Sequence, residues 1–260
     1  MKAFLSCSLA IMVIGAAANG SFAEIDSNAP PESAQHYNEG IQSFEQKDFL
    51  KAAQSFAKAI AIYPKFTEAS LNMSQAYISL NKPQEAIKAL KHAIQYDPNN
   101  PKPYVRIGTI YMNLGKPQDA IAYLEKSTYL ENKNAAAQAQ LGMAYVSLGM
   151  TTKGQRFLKQ AVNIRPSNLD EFGIEAKTYA VLGNISEDPN KSMMYLKKAI
   201  QLDPEMPETY LYLGQTALKV NQTEDALESF RKAKRLFQKN KDSEGARLAE
   251  KAIKSVSSTN

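Results

Sequence analysis

The chain has 260 residues, of which 44% are hydrophobic and 22% charged, with no tryptophan and a formal net charge of +5. This is the composition of an ordinary soluble helical protein. One cysteine, Cys7, and two well-separated histidines, His36 and His92, leave no basis for disulfide, thiolate-metal or paired-histidine chemistry. The glycines stand singly, without a phosphate-cradling loop. The sequence therefore predicts no catalytic centre, no metal and no cofactor.

Residues 1–23 have the form of a secretory signal peptide. Lys2 supplies the positive start, Ala3 to Ala18 carry no charge, and Ser21 and Ala23 are small residues preceding a cut before Glu24. The expectation is export, to a bacterial periplasm given the short signal. The alternative is an uncleaved anchor facing the periplasm, for which the run is short against the roughly 20 residues of a spanning helix. Cys7 suggests a lipoprotein, but most of the apolar run follows it, which counts against that reading. Residues 24–32, with Pro30 and Pro31, read as a polar linker.

From residue 33 a unit of helix, turn and helix recurs, over 33–66, 67–100, 101–134, 135–168, 169–206 and 207–240. The third is the clearest. Tyr104, Ile107, Gly108, Tyr111 and Leu114 are spaced by three and four and share a helical face. Gly115 and Lys116 break that helix, and Pro117 suits the first turn of the next, where its missing N–H costs little. Ala120, Ile121, Leu124 and Leu130 form a second apolar face. Neither face can be buried within one unit, so the unit needs neighbours like itself.

Pro64, Pro98, Pro166 and Pro204 close similar units, at intervals of 34, 68 and 38. In register stand Gly40, Gly108, Gly142 and Gly214, then Tyr77, Tyr111, Tyr145 and Tyr179. Ala52, Ala86, Ala120 and Ala226 recur, as do Ala59, Ala93, Ala161, Ala199 and Ala233. Phe56, Leu90, Leu124, Leu158, Leu196 and Phe230 occupy one further position. Small residues let helix axes approach to about 8–10 Å, and the large ones fill what remains. Over residues 33 to 240 the pattern resembles the tetratricopeptide repeat. The resemblance implies an all-α, right-handed superhelical solenoid of six units. The apolar residues of 241–256, including Leu248, Ile253 and Val256, read as a helix capping its end, before a short tail to Asn260.

Three departures stand out. Asn132 replaces the usual proline of the third unit, and Gly154 replaces alanine in the fourth, which should loosen that helix slightly. The fifth unit carries four extra residues, assigned to its internal turn, Asn184 to Asn190. This is either a tolerated surface insertion or a partner-contacting loop.

In tetratricopeptide proteins the partner lies in a concave groove lined by the first helix of each unit. The resemblance places Tyr37, Ile41, Phe44, Asn72, Gln75, Lys102, Arg106, Thr109, Met112, Met143 and Tyr212 there, and implies a non-catalytic scaffold for a peptide or protein segment. Asn72, Lys102 and Arg106 resemble the later part of the clamp by which co-chaperone tetratricopeptide domains grip a C-terminal carboxylate. The clamp's earlier Lys and Asn fall at Tyr37 and Ile41, so the match is incomplete, and the other reading is a basic edge beside a packing asparagine. Residues 229–254 hold nine basic against three acidic side chains. This end would suit anionic lipid headgroups or an acidic partner, or is simply solvated. Nucleic acid is not expected, since no aromatics interleave with the basic residues. Asn184, Asn190 and Asn221 lie in glycosylation sequons and are expected to be unmodified in a bacterial setting. The oligomeric state is open.

Overall fold

The computed structural model describes residues 28–164 and 169–257. The expected signal peptide at 1–23, the start of the expected linker, Pro166 and the last three residues lie outside the described residues. All regular structure among the described residues is helical. The chain divides after Asn132 into two compact units.

The first unit holds α1 (Pro31–Glu45), α2 (Phe49–Ile62), α3 (Thr67–Ser79), α4 (Pro83–Tyr96), α5 (Pro101–Asn113) and α6 (Pro117–Leu130). Each helix packs on the next in the chain. The second holds α7 (Ala135–Ser147), α8 (Thr151–Val162), α9 (Leu169–Ile185), α10 (Pro189–Leu202), α11 (Pro207–Lys219), α12 (Thr223–Lys239) and α13 (Ser243–Ser257). Again sequential helices pack together, and α9 also touches α7 and α11.

The helix starts follow the sequence. Pro83, Pro101, Pro117, Pro189 and Pro207 each sit in a first turn, where φ is already set for a helix. Asp48, Asn100, Asn134 and Asp188 cap helices by accepting from a backbone N–H one or two residues into the helix beyond its first. The turn inside each of the first four pairs has one left-handed residue: Lys47, Asn81, Gly115 and Gly149, with φ of 62°, 55°, 68° and 78°. These recur every 34 residues. Packing within a pair depends on the recurring glycine. Leu124 lies directly over Gly108, where a Cβ would stand 2.5 Å from its branch carbons, and Leu124 is fully buried as a result.

The fifth repeat accommodates its four extra residues differently from the sequence reading. α9 is 17 residues long, against 13 for α3, α5, α7 and α11. The residues extend the first helix by about one turn, and the connection to α10 stays short. There the Ser186 N–H donates to Gly183 O at 3.3 Å, and Asp188 caps α10.

Tyr37, Phe56 and Phe66 form an aromatic core at the start of the first unit. Leu90 and Ile107 continue it. In the second unit Phe230, Phe237, Ala249 and Val256 form a cluster in which α13 covers α12. Lys234 of α12 pairs with Glu250 of α13, and Lys239 pairs with Glu205. These lysines hold both carboxyls below the usual glutamate range.

Candidate functional site

The sequence-assigned residues of the first unit lie on α1, α3 and α5. Tyr37 is 2% exposed. Its ring packs on Phe56 and Phe66, with centroids 5.7 Å and 4.7 Å away, and burial pushes its hydroxyl above the ordinary tyrosine range. Ile41 and Phe44 are half-buried against the same core, and Phe44 meets Phe49 edge-on at 5.1 Å. Much of this part of the face is therefore committed to packing.

The polar part is built by one rule, repeated. Asn72 on α3 reaches back one repeat, and its Nδ2 donates to the Tyr37 hydroxyl at 2.9 Å. Arg106, the equivalent residue on α5, also reaches back one repeat, and its Nη1 donates to the Leu71 carbonyl at 2.9 Å. Both side chains are half-buried. Burial draws the Arg106 guanidinium down from the usual arginine range, and among the described residues no carboxylate pairs with it. Lys102, one turn earlier on α5, is exposed. Gln75 is half-buried on α3; Thr109, whose Oγ1 donates to Val105 O at 2.9 Å, and Met112 are half-buried on α5. Asn72, Lys102 and Arg106 thus lie on successive first helices, with Asn72 and Arg106 each already using one donor. Met143 on α7 and Tyr212 on α11 belong to the second unit and are half-buried there.

The histidines are local. His36 Nδ1 lies 2.9 Å from Glu39 Oε2. His92 Nδ1 lies 3.0 Å from Ser70 Oγ, its ring is 4.9 Å from that of Tyr96, and burial lowers its pKa. Among the described residues no His, Cys, Asp and Glu cluster could hold a metal ion, and no helix is long and apolar enough to cross a membrane.

Paired antiparallel-packing helices recurring at a fixed interval define a helical-repeat protein. Sequence profiles described as tetratricopeptide repeat match residues 43–102, 80–129 and 135–168. The chain carries tetratricopeptide repeats over these residues. A curated relative, tetratricopeptide repeat protein 16 of Mus musculus, is 31% identical over 78 residues, which is 30% of this chain and 10% of that protein. Three solved structures share the fold. The APC/C hetero-tetramer Cut9-Hcn1 superposes with a TM-score of 0.71 at 16% identity, over 86% of this chain and 42% of that one. PilW, described as a widely conserved type IV pilus biogenesis factor, gives 0.65 at 18% identity, over 85% of this chain and 99% of its own. PilF of Pseudomonas aeruginosa gives 0.66 at 13% identity, over 84% and 96%. The chain thus spans about a tenth of the mouse relative and well under half of the Cut9-Hcn1 chain. Proteins of this repeat family are typically non-catalytic scaffolds that bind other proteins.

Proposed function

We propose that the protein is an exported, non-catalytic adaptor of the cell envelope. It holds a peptide or partner segment in the groove formed by the first helices. In the first unit the partner presents a carboxylate, such as a chain terminus, to Lys102 and Arg106. One observation carries this reading. Arg106 is a half-buried cation that uses one donor on a backbone carbonyl and has no carboxylate partner among the described residues. A guanidinium left in that state gains most from an external anion, through charge-assisted bonds in partly excluded solvent. Export to the periplasm rests on the pattern of residues 1–23. The fold of PilW, a pilus biogenesis factor, supports an envelope role by architecture only.

A second reading has its own observation. Arg231 and Arg235 on α12 and Arg247 and Lys251 on α13 are exposed and form no ion pair among the described residues, and such a surface would suit an anionic bilayer. A crosslinking pull-down from native envelopes with the 24–260 protein separates the two. It is run beside a Lys102→Glu, Arg106→Met variant. Leu71 O still accepts from Ser74 Oγ at 2.6 Å, so this variant should stay folded, with circular dichroism unchanged. The adaptor reading expects one partner, lost by the variant. The same partner held equally by the variant would remove the α3–α5 face as the site. Recovery of lipid alone would favour the basic end.

A further inference from the structure

The second unit contains an open cleft of about 680 Å³ beside α8, α9 and α10. It belongs to the region where the repeat becomes irregular and α9 gains its extra turn. Its inner lining is aromatic. Tyr179 of α9 and Tyr195 of α10 are half-buried, with ring centroids 6.1 Å apart and planes tilted by 32°. Burial pushes the Tyr179 hydroxyl above the ordinary tyrosine range, so at neutral pH it remains a hydrogen-bond donor. Met194 stands at the edge with 57% of its surface exposed.

The charge on the described lining is all of one sign. Lys159 of α8 and Lys197 and Lys198 of α10 line the cleft, and among the described residues no carboxylate does. Lys159 and Lys197 are exposed and form no ion pair among the described residues, and Lys198 only donates to Gln201 Oε1, at 3.4 Å. Glu175, one turn before Tyr179, is close enough to help raise that hydroxyl's pKa but does not line the cleft. Three cations around an apolar, aromatic hollow repel one another, and no carboxylate among the described lining residues balances them.

We propose that this cleft docks an acidic, apolar-punctuated peptide segment of a partner protein. The segment's apolar side chains rest on Tyr179, Tyr195 and Met194, and its carboxylates meet Lys159, Lys197 and Lys198. The volume falls within the range of pockets that take a small ligand or a few side chains, and a flexible exposed Met adapts to varied apolar partners. A concave hollow fits a segment better than a bilayer surface, which needs a convex or flat basic face. The site lies wholly in the second unit and does not depend on the α3–α5 face of the first.

The test is fluorescence anisotropy on the 24–260 protein. The probe is a fluorescein-labelled peptide alternating glutamate and leucine, with its glutamine counterpart as control. We expect the acidic peptide to bind, the glutamine peptide to bind at least about tenfold more weakly, and a Lys159→Gln, Lys197→Gln variant to lose at least about tenfold in affinity, since each tenfold is about 1.4 kcal/mol. Both lysines are exposed, so the variant should keep its circular dichroism spectrum. Lys88→Gln, at an exposed lysine of α4 in the first unit, should bind the peptide as the parent does. The proposal is overturned if the acidic peptide does not bind, if the glutamine peptide binds equally, if the Lys159→Gln, Lys197→Gln variant is unaffected, or if Lys88→Gln loses as much affinity as that variant. It is also overturned if phosphatidylglycerol vesicles, and not the peptide, require these lysines.

Discussion

Gly154 shows how a residue's meaning depends on what lies across from it. In an isolated helix, glycine costs about 1 kcal/mol relative to alanine, and the sequence alone reads it as a weakness in α8. The structure gives it a second role. A Cβ there would stand 2.7 Å from the Gly142 carbonyl oxygen and 2.6 Å from Val146 Cγ2. The backbone of α7 cannot retreat without moving the helix, so the glycine sets the closeness of the α7–α8 crossing. Gly154→Ala should therefore destabilise, by about 1–3 kcal/mol, despite its better propensity. Urea denaturation followed by circular dichroism measures this, and a stabilised variant would mean that propensity outweighs the contact. The polar face has a similar lesson. That Asn72 and Arg106 occupy equivalent places was legible from the repeat interval. Their partners were not. Each lies 35 residues back, one a ring hydroxyl and one a main-chain carbonyl, and a long side chain's choice among nearby acceptors is settled only by packing. The cationic cleft was less legible still, because Lys159 and the Lys197–Lys198 pair are separated by a whole helix.

Among elements, the helix starts were readable because proline and the capping residues act locally, within a turn of where they stand. The fate of the four extra residues was not. Four residues add about one helical turn of 3.6, so lengthening α9 returns the apolar face almost to where it was, and the pattern is the same as for a longer turn. The turns that do keep the 34-residue register yield a prediction. Lys47 holds φ of 62° at the place where Gly115 and Gly149 stand in later repeats. A left-handed conformation costs an L-residue roughly 1–2 kcal/mol, and glycine relieves it while giving back part through its freer unfolded chain. Lys47 is exposed, so few contacts are lost. Lys47→Gly should stabilise by up to about 1 kcal/mol and raise Tm in a thermal melt, and Gly115→Ala should lower it. If Lys47→Gly lowers Tm, the lysine contributes something in that turn beyond its backbone angle.

At the scale of the whole molecule, a repeat array is stabilised by contacts between successive elements, and its last element has one side without a neighbour. α13 takes that place by packing on α12. Ala249 is fully buried, Val256 is 8% exposed and Phe237 of α12 is 4% exposed. Gly245 lies so close to the Phe237 ring that a Cβ would stand 2.3 Å from it. Removing residues 243–260 would expose Phe237 and its neighbours, at about 1.5–3 kcal/mol for each large apolar side chain uncovered. The Lys234–Glu250 pair, a single ion pair at the solvent edge with each side chain 34% exposed, contributes little beside this. Because the Glu250 carboxyl is held below its ordinary value of 4.5, its contribution is present above that pH and fades as pH falls through the lowered pKa. At neutral pH the two effects therefore separate in experiment: Glu250→Gln should leave stability nearly unchanged, whereas truncation should cost several kcal/mol. Hydrogen exchange would place the loss. Amides of α11 and α12 should lose protection in the truncated chain, with those of α1 to α6 serving as the internal reference. Undiminished protection in α12 would show that α13 is an appendage, and that α12 already buries its apolar face without it.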